Sequence, residues 1–357
     1  MRCRRLDLLA REGNEELDDT LFSLSAYDYS LPDAMIARYP CEPRDHSKLM
    51  VIERQKKTIN HYYFYLLPNF LCQDDLLIFN NTKVIKARIY GKRQTGGAVE
   101  FLLVRPLDHE HWEVMAKPGK KLQIGTLVLF EGGLTACIDE ILPNGNRIVK
   151  FNLPEILPYL KRYGHLPLPT YMQREMENQD VINYQTVYAK EEGAIAAPTA
   201  GLHFTSNLLA QLNEKGVSQT QITLHTGIGT FKPVKEENIL NHSMHTERYM
   251  INEEASIVLN SHKGRKICVG TTSCRALESA CRNNEFTAGE YETDIFIYPG
   301  YQFKCTDALL TNFHLPKSTL LMLVCSFGGY DLMMEAYQIA IEKQYRFYSY
   351  GDAMLIL

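Results

Sequence analysis

Five short segments carry residue types able to do chemistry, each mixing small residues with uncompensated polar ones. In Ala196-Ala-Pro-Thr199-Ala-Gly201-Leu-His203-Phe204, the small residues admit close approach of backbone to a ligand, and His203 suits acid–base work. A helix starting near Thr205 would aim free N–H groups at the same place. His203 between Leu202 and Phe204 also reads as a core histidine. In Leu224-His225-Thr-Gly227-Ile-Gly229-Thr230-Phe231, the glycine pair suits a tight loop against a substrate. Its spacing falls short of the dinucleotide pattern Gly-x-Gly-x-x-Gly. His242-Ser-Met-His245-Thr-Glu247 invites a metal, with His203 and His225 as further ligands. The spacing is not the zinc-helix His-Glu-x-x-His, and no metal is expected.

The fourth segment, Val269-Gly270-Thr271-Thr272-Ser273-Cys-Arg275-Ala-Leu-Glu278, reads as a strand entering a hydroxyl-rich turn and then a helix. Ligands of open α/β sheets sit at such strand ends, where hydroxyls and N–H groups hold a carboxylate, phosphate or ribose. Plain helix capping is the competing assignment. Arg275 and Glu278, three apart, are placed to pair along one helix face. The fifth is Thr311-Asn312-Phe-His314-Leu-Pro316 with the tail Tyr345-Arg346-Phe-Tyr-Ser-Tyr-Gly-Asp352. Arg346 among aromatics is either a stacking surface for bases or part of a core.

The elements that must position these segments follow from periodicity. Leu49–Ile52 and Tyr62–Leu67 read as strands. From Leu76 onward come short strands: Lys83–Tyr90, Ala98–Arg105, Trp112–Ala116, Thr126–Phe130, Ala136–Leu142 and Arg147–Phe151. Gly96-Gly97, Pro118-Gly119, Gly132-Gly133 and Asn144-Gly145 break them. That grammar predicts a small antiparallel barrel over 75–152. After Pro154, helix and strand alternate. Thr205 and Asn252 are N-caps, Gly216 and Gly264 are stops, and Lys266–Val269, Ile295–Tyr298, Leu309-Leu310 and Tyr330–Lys343 continue the pattern. The expected fold class is α/β: a layered α/β domain of residues 25–74 plus 153–357, with the small antiparallel β-barrel inserted. Residues 1–24 are expected to be a disordered leader.

Composition limits the function classes. The 357 residues are 45% hydrophobic with a formal charge of −4, which excludes a wholly basic nucleic-acid binder. A local basic face remains open, since Lys83, Lys86, Arg88, Lys92, Arg93, Arg105, Lys117, Lys120 and Lys121 gather in the barrel. Nine cysteines without a Cys-x-x-Cys pair read as reduced, mostly buried thiols of a cytoplasmic protein. The longest apolar run, Leu320–Cys325, is too short for a membrane span.

Taken together, motifs in register resemble a known family. They are Ile36–Pro40, Phe79-Asn-Asn-Thr82 with Ala87-Arg88, Gly164–Pro167, Tyr184–Tyr188, Ala197–Phe204, His225–Phe231, Met244–Glu247, Gly270–Ser273, Pro299-Gly300, Thr311–Pro316 and Ser349–Ala353. The chain resembles the S-adenosylmethionine:tRNA ribosyltransferase-isomerases of queuosine biosynthesis over residues 26–357. The leader before Leu24, and Thr226 where a small apolar residue is usual, depart from the pattern.

The resemblance implies an α/β domain with an inserted barrel. It implies transfer and isomerisation of the ribosyl group of S-adenosylmethionine onto 7-aminomethyl-7-deazaguanine at the wobble position of tRNA. Epoxyqueuosine-tRNA, adenine and methionine would be the products. S-adenosylmethionine is then a co-substrate and no true cofactor is expected, in a cytoplasmic protein; the oligomeric state is not readable from the sequence, and a monomer is the default expectation. Such a reaction needs a base, a proton for departing adenine and donors for developing charge. The expected acid–base residues are His203, His225 and His245. Substrate binding falls to Thr199, Gly201, Gly227, Gly229, Thr230, Thr271, Thr272, Ser273, Arg275, Asn312 and His314. Contacts to tRNA fall to Arg38, Arg88, Lys92, Arg93 and Arg346. A metal-dependent hydrolase built on the histidines and a non-catalytic RNA-binding module are the alternatives.

Overall fold

Leu76–Asn80 is buried at every position, as a strand covered on both faces must be. It is β3, in the interior of a nine-stranded sheet. The others are β1 (Lys48–Glu53), β2 (Thr58–Tyr63), β12 (Ser218–His225), β13 (Glu247–Ile251), β14 (Lys266–Val269), β15 (Gly289–Thr293), β16 (Ala308–Asn312) and β17 (Ala353–Ile356). Their spatial order is β15-β13-β12-β3-β14-β16-β17-β1-β2. Strands β12, β3, β14 and β16 run parallel. Asn80, His225, Gly270 and Asn312 therefore gather at one edge, the carboxyl ends where open α/β sheets bind ligands. The computed structural model describes residues 18–227 and 234–357.

Period-2 alternation assigns the two faces. Leu77 and Phe79 pack with Leu208 and Leu212 of α3 (Ser206–Glu214). Leu76 and Ile78 pack under α4 (Glu253–Ser261), α5 (Thr271–Ala280), α6 (Thr319–Gly328) and α7 (Tyr330–Glu342). Thr205, Asn252 and Ser318 accept from Leu208, Ala255 and Leu321 N–H at the starts of α3, α4 and α6. Two short helices, α1 (Leu157–Tyr163) and α2 (Asp180–Asn183), precede them. No single helix among the described residues is long and apolar enough to cross a membrane.

The barrel is a closed antiparallel ring of β5 (Arg88–Arg93), β6 (Ala98–Pro106), β7 (His111–Lys117), β8 (Leu127–Phe130), β9 (Thr135–Ile141) and β10 (Arg147–Phe151). Between barrel and sheet, β4 (Thr82–Val84) pairs in parallel with β11 (Glu191–Ala194). The expected insertion point at residue 75 is thus corrected. Leu76–Asn80 belongs to the large sheet, and the barrel strands begin at Arg88.

Other expectations are corrected as well. The strand expected at Tyr62–Leu67 lies earlier, and Phe64–Phe70 is a 3-10 helix containing Pro68. Ile295–Tyr298 is irregular, a loop that buries Ile297 in the core and packs the half-buried Ile295, Phe296 and Tyr298 against it. The leader is shorter than expected, because Leu24 is buried and its N–H donates to Glu237 O at 2.8 Å. Residues 1–17 lie outside the described residues. One pair of thiols is not reduced: a disulfide joins Cys281, after α5, to Cys305.

Candidate active site

Asn80 anchors the gathered strand ends. Its Nδ2 donates to Leu224 O at 3.0 Å and to Thr272 Oγ1 at 3.2 Å, while its Oδ1 accepts from Leu224 and Thr82 N–H. This one side chain ties β3, β12 and the first turn of α5 together. Thr82 and Gly193 then fix His225. Thr82 Oγ1 lies 2.8 Å from His225 Nδ1, and a Cβ on Gly193 would stand 2.9–3.1 Å from the imidazole. The contact to Thr82 occupies Nδ1 and leaves Nε2 as the available nitrogen. Burial holds this imidazole below its ordinary range, so it is neutral at pH 7; Glu191 and Glu290 act upward and Arg248 downward.

His225 lines a cleft of about 920 Å³ between the barrel and the β12–β13–β15 edge. Thr226, Gly227, Glu247, Trp112 and Ile156 share it. A second cavity, about 210 Å³, is lined by Arg88, Glu100, Lys117, Ala196 and again Gly227. A Cβ on Gly227 meets nothing within 4 Å. Beneath the larger cleft, Glu247 forms an ion pair with Arg275 Nη1, both being almost wholly buried. The Gly227 N–H points to Glu247 Oε1 at 3.4 Å. Arg275 therefore pairs with Glu247 rather than with Glu278, correcting the expected i,i+3 pair. Glu278 instead accepts from Lys304 and Cys305 N–H and from the hydroxyls of Tyr301 and Thr306.

His203 sits elsewhere, in packing. It stacks on Phe64 at 4.8 Å, with Nδ1 2.7 Å from Ser47 Oγ and Nε2 3.2 Å from Asn312 Nδ2. Burial, reinforced by Arg346 and Arg44, pushes it down to about 3. Asn312 also donates to Tyr348 O at 3.0 Å, and its buried Oδ1 has no partner among the described residues. His314, also pushed down to about 3 by burial, is held by Thr311 Oγ1 at 2.9 Å. Thr271 and Thr272 are buried in the first turn of α5, and Ser273 Oγ is spent on Val269 O at 2.8 Å. Gly201 faces the ring hydroxyl of Tyr188, which leaves no room for a Cβ; Thr199 opens the short 3-10 turn, Thr199–His203, that contains it. His245 is exposed, next to Thr246 on the cleft wall. His242 contacts Glu236 at 3.2 Å, and among the described residues no three His, Cys, Asp or Glu side chains form a metal-ligand group. Gly229 and Thr230 lie outside the described residues.

Of the basic residues, Lys92 and Arg38 are exposed, Arg38 touching Gln173 at 3.0 Å. Arg93 folds over Gly97. Arg88 lies 3.2 Å from Glu100, and Arg346 Nε lies 3.7 Å from Asp352. The tail aromatics Tyr345, Phe347, Tyr348 and Tyr350 are buried, so they form core and not a stacking surface. Asn80, Thr82 and Gly193 had no assigned role in the sequence. Phe79-Asn-Asn-Thr82 marked a motif, but nothing in it revealed that Asn80 saturates its amide on a neighbouring strand.

The two buried neutral histidines make stability depend on pH. Unfolded, each takes up a proton near 6.5; folded, neither does until about 3. Their contribution is complete above pH 6.5 and is lost as pH falls toward 3, at about 1.4 kcal/mol per unit per group. The melting temperature is expected to fall steadily from pH 7 to 5, and His203→Gln to flatten that slope. A flat profile in the wild type would refute it.

An α/β protein with an inserted closed barrel and a cleft between them is thereby defined. The chain belongs to the family described as queuosine biosynthesis protein, which matches residues 24–356. The S-adenosylmethionine:tRNA ribosyltransferase-isomerase of Trichlorobacter lovleyi is 47% identical over 336 residues, 93% of this chain and 98% of its own length. That of Desulfitobacterium hafniense is 49% identical, over 94% of this chain and 99% of its own length. A crystal structure of the S-adenosylmethionine tRNA ribosyltransferase of Thermotoga maritima shares the fold at 37% identity. Its TM-score is 0.54, covering 93% of this chain and all of that one.

Proposed function

We propose that this chain transfers and isomerises the ribosyl group of S-adenosylmethionine onto 7-aminomethyl-7-deazaguanine at the wobble position of tRNA. Adenine and methionine leave and epoxyqueuosine-tRNA is formed. The observation that carries this beyond family membership is a neutral, oriented histidine on the wall of a cleft wide enough for a nucleoside and a base. In this reading His225 Nε2 takes the proton acidified by the sulfonium. His245, exposed at the cleft's margin, is the second acid–base residue, and His203 is a positioning residue that holds Asn312. Gly227 gives the substrates backbone access from both cavities, whereas Thr271 and Thr272, buried in the first turn of α5, line neither and support the strand end from behind. The protein acts in the cytoplasm, as a monomer, without a cofactor.

Incubation with S-adenosylmethionine and tRNA carrying the aminomethyl base tests the reading. Equimolar adenine and epoxyqueuosine are expected; adenine absent with folded protein would overturn it. The exposed barrel cation Lys92, with Arg38, is assigned to tRNA phosphates. Lys92→Glu is expected to weaken tRNA binding and lower the slope of log K against log salt by about 0.9 for each lost contact. An unchanged slope would remove Lys92 from the interface.

A further inference from the structure

We propose that Glu191 and Glu290 form a subsite for a positively charged ligand group beside His225, which in the reading above is the sulfonium end of S-adenosylmethionine. Both carboxylates line the 920 Å³ cleft with His225. They reach it from opposite directions in strand order. Glu191 opens β11, which joins the sheet side through β4, and Glu290 stands on β15 beyond β13.

The cations of the cleft do not neutralise these two. Arg105 is engaged by Glu113 at 2.8 Å and Arg248 faces Glu292 at 3.7 Å. Glu192, next in sequence, is already paired with Lys83 and Lys161. Glu191 has only the exposed Lys190 at 3.8 Å, a solvent-screened contact, and Glu290 has no ion-pair partner among the described residues. An independent observation marks the same place as a ligand site. Thr226, 3% exposed and lining the cleft, has a hydroxyl without a hydrogen-bond partner among the described residues. A buried hydroxyl left unpaired is costly unless something else meets it. The cleft thus offers uncompensated negative charge and an idle donor–acceptor group beside a neutral base. A cation is favoured there, and a phosphate chain is repelled. The RNA backbone accordingly stays outside this wall, while its base enters.

The test compares two ligands that differ mainly in that charge: S-adenosylmethionine and the neutral thioether S-adenosylhomocysteine. Affinities are measured by titration calorimetry on the full chain, with thermal melts to show that each variant is folded. The wild type is expected to prefer the sulfonium by roughly 10-fold or more, and E191Q/E290Q to bring the two affinities within about 3-fold. A preference that survives in the double variant overturns this inference. Gly227→Trp separates that result from failure of the underlying reading. It fills the cleft and is expected to abolish binding of both ligands; if both still bind, the cleft is not the co-substrate site and both inferences fall.

Discussion

His225→Gln is expected to lower turnover by roughly 10²–10⁴-fold at saturating substrates, the usual contribution of a positioned general base. The geometry leaves this side chain one free nitrogen, since Thr82 takes Nδ1 and Gly193 bounds the ring face. Burial lowers its proton affinity, so the acid limb of the rate profile lies below pH 6.5. The glutamine variant should lose that limb and keep the wild-type melting temperature within a few degrees. Full turnover with the limb intact would move the base to another residue. Gly193→Ala should act in the same direction through position, because its Cβ would press on the imidazole.

Breaking the Glu247–Arg275 pair is the second large effect. Arg275 is 3% exposed and Glu247 6%. Arg275→Met removes the counter-ion of a buried carboxylate, which costs about 3–5 kcal/mol. In a protein of this size that lowers the melting temperature by about 4–7 °C. The double change Arg275→Met with Glu247→Leu should recover much of the loss, because the stranded charge is gone. Melts of the single and double variants decide it: equal losses in both would mean that packing, and not the stranded charge, sets the cost. Activity is expected to stay low in the double variant, since the Gly227 N–H then has no carboxylate to meet.

The layer architecture was legible because its signals are local. Thr205 and Asn252 announce helices by chemistry within three residues, and the barrel strands alternate between turn dipeptides. The boundary error at Leu76 has a physical cause. A parallel strand covered on both faces shows an apolar run without alternation, and no helix follows it to mark a β–α unit. Which side chains meet was much less legible. The chemistry of His203 and His225 looks alike in sequence; one is locked between Ser47 and Asn312 and the other borders a cleft. Arg275 has an acidic residue three positions on, yet its partner comes from another strand. Glu191 and Glu290 are ordinary surface carboxylates until two strands bring them to one histidine. The Cys281–Cys305 link joins residues with no motif around them.

The placement of β17 governs the order in which the sheet can be assembled. Leu49 of β1 pairs with Ala353 of β17, and β17 alone connects the β1–β2 hairpin to β16. As the chain leaves the ribosome, its first hairpin has no neighbour until nearly the whole of the sequence above has been made. Loop closure over that span is slow, and β1 waits with an apolar face and an open edge. The strand that β1 pairs with in parallel is therefore the last strand of the sheet to be synthesised. Completion of the sheet, and of the Asn312 end of β16 within it, is among the last events of folding.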